Sequence, residues 1–140
     1  MIMPYINFDG DCEEAFLWYA KIFNGKVEHM VKYGDIPENS NSPVTVEQKK
    51  KVMHAQLMLT ESGGISGADA LWPIEKGNAI SIHAHLTSEA SAQKIFLALS
   101  ENGTVLGQLA TNPPPDDRGI SGSVKDKHGV TWIISALKSV

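Results

Sequence analysis

One order of elements is written twice in this chain, and that duplication limits the fold more than any single motif. The stretch YINF (residues 5–8) is β-like, DGDCEEAFLWYAKIFNG (9–25) is helical, and KVEHMVKYG, VMHAQLML and GGISGADA follow as three further strands. The same order returns as AISIHAHL (79–86), the helical TSEASAQKIFLALSENG (87–103), and then TVLGQLA, GISGSVKD and GVTWIISAL. The helices begin near residues 11 and 87, so the period is about half of the 140 residues. A solenoid needs shorter periods and more copies. The reading that remains is α+β: two βαβββ modules, about 1–72 and 78–140, within a single domain over 1–140. Each module has one helix covering one face of a small mixed sheet, and the other face must meet something else.

Local signals support the helices. Asp11 is placed to cap the first, with Glu14 as its capping-box partner, and Asn24-Gly25 stops it. Ala15, Trp18, Tyr19, Ile22 and Phe23 recur at helical spacing. Thr87 or Ser88 caps the second helix, Ala92, Ile95, Phe96 and Leu99 form its apolar stripe, and Asn102-Gly103 ends it. Between the second and third strands, residues 34–51 form a long polar stretch expected to be a loop, a lid or an arm towards a partner subunit. NPPPDDRG (112–119) is a second candidate rim, stiffened by prolines.

Alternation along the strands assigns faces. Ile82, Ala84 and Leu86 belong under the second helix, which turns Ser81, His83 and His85 the other way. Met53, Ala55, Leu57 and Leu59 belong under the first helix, leaving Val52, His54, Gln56 and Met58 opposite. Ile6 and Phe8 take the core side of the opening strand, with Tyr5 and Asn7 opposite. Trp132 shares the helix side with Val130 and Ile134. His29 and His128, near a loop and a turn, read as surface residues.

Composition excludes several classes. Apolar residues make up 42% of the chain, enough for a core, and the formal charge of −4 argues against a nucleic-acid partner. No apolar run approaches the roughly 20 residues that span a bilayer, and the N-terminus lacks the pattern of a secretion signal. Cys12 has no second cysteine to pair with, which fits a reducing, cytoplasmic setting. Its place at a helix N-terminus can lower a thiol pKa, but Glu13 and Glu14 oppose that, so it reads as structural.

The whole pattern resembles the vicinal oxygen chelate superfamily, which includes glyoxalase I, bleomycin-resistance proteins and extradiol dioxygenases. PYINFDGDCEEAFLWYAKIF, the MHAQL strand and the closing DKHGVTWII are similar to the PhnB-like branch. The resemblance implies sheets curled around a concave pocket, so that Tyr5, Asn7, His54, Gln56, Ser81, His83 and His85 line one cavity for a small molecule. The sheet face that each helix leaves uncovered leads us to expect a homodimer as well. Metal-dependent relatives carry a Glu ligand where counting from Asp126 reaches Ile133, which cannot ligate. Pro4 or Tyr5 and Ser81 occupy other usual ligand places. The resemblance therefore implies binding of an unidentified small molecule without the usual metal centre. The alternative is a metal-dependent lyase, isomerase or dioxygenase of the same superfamily. A divalent metal held differently, by His54 with His83 and His85, stays open. Members of the branch are also described as demethylubiquinone methyltransferases. A methyl donor's nucleotide usually needs a glycine-rich turn between a strand and a helix, and ESGGISGAD reads instead as a turn between strands.

Overall fold

The structure is a computed structural model that describes residues 1–37 and 43–140. The chain divides into two compact units, Met1–Glu75 and Lys76–Val140. The first runs β1 (Tyr5–Phe8), α1 (Cys12–Phe23), β2 (Lys26–Lys32), a short 3-10 turn at Tyr33–Asp35, α2 (Val46–Lys49), β3 (Val52–Met58) and β4 (Gly64–Asp69). The second runs β5 (Ile82–His85), α3 (Glu89–Ser100), β6 (Thr104–Thr111), β7 (Gly119–Lys125) and β8 (Thr131–Leu137). The sheets have the orders β1-β4-β3-β2 and β5-β8-β7-β6. In each, the opening strand pairs parallel with the last and the other pairs are antiparallel. This is the expected α+β fold of two βαβββ modules.

The 34–51 stretch is only partly the loop expected from sequence. Thr45 and Gln48 form a capping box that starts α2, and residues 38–42 lie outside the described residues. The strand expected from residue 79 begins at Ile82, so Ser81 sits just ahead of β5 and Ile80 is exposed.

The two helices end differently from how they begin. Asn24 takes the left-handed conformation (φ 53°), and the Gly25 N–H closes on the Ala20 carbonyl at 2.8 Å. At the start of α1, the expected Asp11 cap is not made: its side chain forms no cap hydrogen bond with the helix. The buried Asp69 carboxylate takes that place from β4, accepting from the N–H groups of Gly10 and Cys12, each at 3.0 Å. Its second oxygen accepts from the Val52 N–H at 2.8 Å. Tertiary placement thus supplies a better acceptor than the local sequence does. In α3 the Ser88 hydroxyl accepts from the Ser91 N–H at 3.1 Å, as a cap should.

Each helix lays a phenyl ring on a strand glycine. A Cβ built on Gly67 would stand 3.0 Å from the Phe16 ring, and one on Gly122 would stand 2.9 Å from the Phe96 ring. Phe16, absent from the expected apolar stripe, is fully buried with Ala15 and Tyr19. In the second unit Trp132, Ile134 and Ala136 fill the space under α3 together with Leu99 and Val124.

Alternation fails at one place in β3. Val52, expected on the open face, is fully buried, whereas Met53, expected in the core, is only half-buried. The ladder pairs Val31 with His54 but Lys32 with Val52, so Met53 is the extra residue of a bulge. The bulge turns Val52 inwards, where its N–H meets Asp69.

His128 also departs from expectation. It is buried in the turn between β7 and β8, where the Asp126 carboxylate accepts from the N–H groups of His128 (2.8 Å) and Val130 (3.0 Å). The other Asp126 oxygen accepts from the Trp132 indole N–H at 2.8 Å. Trp132→Ala should therefore cost about 3–5 kcal/mol, by cavity formation and a stranded carboxylate oxygen, measured by urea unfolding. Gly122→Ala should cost about 1–3 kcal/mol by overpacking against Phe96 and the Leu109 backbone. Wild-type midpoints in both variants would contradict this packing.

Candidate functional site

Cross-strand partners share a face, so the register defines what each sheet presents away from its helix. In the second unit His85, Ser135 and Ser121 form one row, and His83, Ile133 and Ser123 form the next. The two imidazoles meet on one hydroxyl. His83 Nε2 lies 2.7 Å from Ser135 Oγ and His85 Nδ1 lies 2.9 Å from it. The rings stand nearly perpendicular, with centroids 6.4 Å apart. Ser135 itself is buried, so the hydroxyl is fixed beneath two exposed rings.

This group borders a cavity of about 530 Å³, which Asn112, Asp116 and Arg118 also line. The stiff NPPPDDRG stretch supplies that rim. The Asp116 carbonyl accepts from the Gly119 N–H, and the Arg118 carbonyl accepts from the Lys138 N–H at 2.8 Å. The Ser121 hydroxyl donates to the Asn112 side-chain oxygen, tying the rim to β7. Arg118 and the Asn112–Ser121 pair were not among the residues picked out from sequence. Their signal was the proline-rich stretch ahead of a strand, which identified a rim but not its polar members.

In the first unit the row across the sheet is Tyr5, Ser66, Gln56 and His29. The Tyr5 hydroxyl lies 3.1 Å from His54 Nδ1, and the two rings stack at 5.7 Å. Partial burial, then the nearby Cys12 and Tyr33, hold the Tyr5 phenol above its usual pKa, so it remains a donor at neutral pH. The His29 ring is 5.5 Å from the His54 ring. His29 is exposed, as its place near a loop suggested, and an irregularity between Val27 and His29 shifts the register so that it pairs with Gln56. Asn7 is exposed on β1. Of the seven residues expected in one cavity, Tyr5 and His54 are joined in the first unit, and His83 and His85 in the second. Asn7, Gln56 and Ser81 have no polar partner among the contacts that define these two groups.

Ile133 shares the open face of β8 with Ser135 and carries no ligand atom. Among the described residues no three of His, Cys, Asp and Glu gather into a group that could hold a metal ion.

Residues 1–135 match the family model described as 3-demethylubiquinone-9 3-methyltransferase. The chain belongs to this family. It is similar to protein YjdN of Escherichia coli, at 25% identity over 98% of this chain and 95% of that protein. Among solved structures it resembles protein PA1353 of Pseudomonas aeruginosa, with 31% identity, a TM-score of 0.83, and 99% and 98% of the two chains covered. The PhnB protein of Bacillus cereus shares the fold at 21% identity and a TM-score of 0.71, over 99% of this chain and 98% of that one. A glyoxalase-related enzyme from Fulvimarina pelagi shares the fold more distantly, at 13% identity and a TM-score of 0.56.

The family description names a methyl transfer, but the glycine-rich ESGGISGAD opens in the turn between β3 and β4 and then forms β4 itself. Leu59 and Thr60 N–H groups both close on the Gly63 carbonyl at 3.0 Å, and β4 follows directly. No helix starts there to hold a nucleotide's phosphates.

Cys12 is fully buried. Burial, then the charge of Asp69, push its thiol far above the usual range. The folded state therefore holds the thiol proton more tightly than the unfolded state does. The resulting stability is full below the unfolded pKa of about 8.5 and declines as pH rises above it. Cys12→Ala should flatten the alkaline limb of a stability–pH curve, and a thiol reagent at pH 8 should label wild-type Cys12 only on unfolding. Rapid labelling of the native protein would contradict this burial.

Proposed function

We propose that this protein binds a small polar molecule in the cavity of its second unit, without the metal centre of its metal-dependent relatives. The observation that carries the reading is the pair of imidazoles fixed on Ser135 at the border of a cavity of about 530 Å³. That volume suits a small molecule, and convergent polar groups in a cleft are the usual mark of such a site. Each neutral imidazole offers one donor and one acceptor, so the paired rings select polar groups. The lack of a carboxylate at Ile133 favours binding over the metal-dependent lyase, isomerase or dioxygenase chemistry of the superfamily.

The Tyr5–His54 pair gives the first unit its own polar face. We also propose a homodimer working in the cytoplasm, with no nucleic-acid partner. The dimer is motivated by the sheet face that each helix leaves uncovered. Among the described residues no helix is long and apolar enough to cross a membrane.

A thermal-shift screen of small polar molecules, on protein purified without a histidine tag, tests the binding reading. A ligand should raise the melting temperature, and His83→Ala or His85→Ala should remove that rise while changing the stability of the free protein by less than about 1 kcal/mol. His54→Ala reports whether the first unit contributes. Binding indifferent to both His83 and His85 would overturn the site, and stoichiometric metal held by a β8 residue would overturn the metal-free reading. For the dimer, sedimentation at micromolar concentration should give a species near twice 15.2 kDa; a monomer throughout would remove it.

A further inference from the structure

We propose that the second unit's cavity is a site for a small oxyanion, a carboxylate or a phosphate-type group, and that it takes up a proton from solvent when the anion binds. The inference rests on the preceding assignment of this cavity and adds the class of its ligand.

A serine hydroxyl has one proton and two lone pairs. With both imidazoles neutral and both contacts made, Ser135 Oγ can donate to only one ring nitrogen, so it accepts from the N–H of at least one ring. The ring that receives the serine proton must carry its own proton on its remaining nitrogen. The ring that donates to the serine has its remaining nitrogen bare. The nitrogens not engaged by Ser135 are His83 Nδ1 and His85 Nε2, so at least one of them is a bare acceptor. Ser135 thus prevents two neutral imidazoles from both presenting N–H groups at the cavity.

An oxyanion reverses this preference. It has lone pairs only, and the bare nitrogen beside it is repulsive. Adding one proton to that nitrogen turns it into a charged donor, and no other bond in the cluster has to break. Charge-assisted hydrogen bonds to an anion are about twice as strong as neutral ones, so the anion raises the proton affinity of the pair. Arg118, on the rim of the same cavity, supplies a permanent positive charge and a forked donor suited to carboxylate or phosphate. Asp116 is the acidic group that lines the cavity and offsets Arg118. The β7 and β8 lining residues, Ser121 and Ile133 among them, bring no charge. The sign of the cavity is therefore set by the two histidines: near balance when both are neutral, positive once either is protonated.

The test is titration calorimetry with inorganic phosphate and, separately, oxalate, at pH 6 and pH 8, in two buffers of different ionisation enthalpy. At least one anion should bind saturably, about tenfold more tightly at pH 6 than at pH 8, with net proton uptake at pH 8. The arm that binds more tightly identifies the anion type. Arg118→Gln should weaken binding by about tenfold or more. Ser135→Ala frees each neutral ring to choose its own tautomer, so proton uptake at pH 8 should fall and the pH profile should become shallower. A merely structural serine would leave that linkage unchanged, and a thermal unfolding curve checks that the variant folds. Absence of saturable binding by either anion, binding without pH dependence, or binding indifferent to Arg118→Gln would each overturn the proposal. An uncharged ligand that requires His83 and His85 would overturn the oxyanion class while leaving the cavity assignment standing.

Discussion

Both sheets depend on a buried aspartate that accepts hydrogen bonds from groups around it. Asp126 accepts from two turn N–H groups and from the Trp132 indole, and so fixes the turn that starts β8. Asp69 accepts from Gly10, Cys12 and Val52, joining the end of β4 to the start of α1 and of β3. A carboxylate in these places is sustained because it meets several donors, and those donors would be orphaned without it. Removing either would strand backbone N–H groups, each costing about 1–3 kcal/mol. The consequence for function is positional. Asp126 sets the phase of β8, and that phase puts Trp132 and Ile134 under the helix and Ser135 beneath the two imidazoles.

The glycines and the bulges act on the same problem from the other side. Gly67 and Gly122 allow Phe16 and Phe96 to lie close on the strands, which seats each helix on one face. Irregularities in β2 and β3 then decide which residues reach the opposite face. One brings Val52 inwards to Asp69, and the other turns His29 towards Gln56 and His54. Local breaks in a ladder thus serve both the core and the polar face.

On the open face of β8 a hydrocarbon stands at Ile133, where the resemblance to metal-dependent relatives called for a ligand. Hydroxyls meet the histidines: Ser135 holds both His83 and His85 in one unit, and Tyr5 meets His54 in the other. Such pairs can exchange donor and acceptor roles without leaving their places, which suits recognition of a polar ligand. The family likeness extends over nearly the whole chain, so the difference lies in the residues that the shared fold presents.

The sequence by itself determined the duplicated βαβββ order, the helix stop at Asn24, and the side of the strand on which His83, His85 and Trp132 fall. All of these rest on local periodicity or on the conformational preference of one or two residues. It did not determine the cap of α1, the inward turn of Val52, the burial of His128, or the approach of His29 to His54. Each of those depends on a partner distant in the chain or on a register shift, and hydrophobic alternation contains neither. The site divides in the same way. The two imidazoles on one face were legible because a strand has a period of two. That they meet on a single serine, about 50 residues away and beside Arg118, was decided by the parallel pairing of β5 with β8. Pairing between strands far apart in sequence is fixed by how the whole sheet packs, and only the tertiary structure contains it.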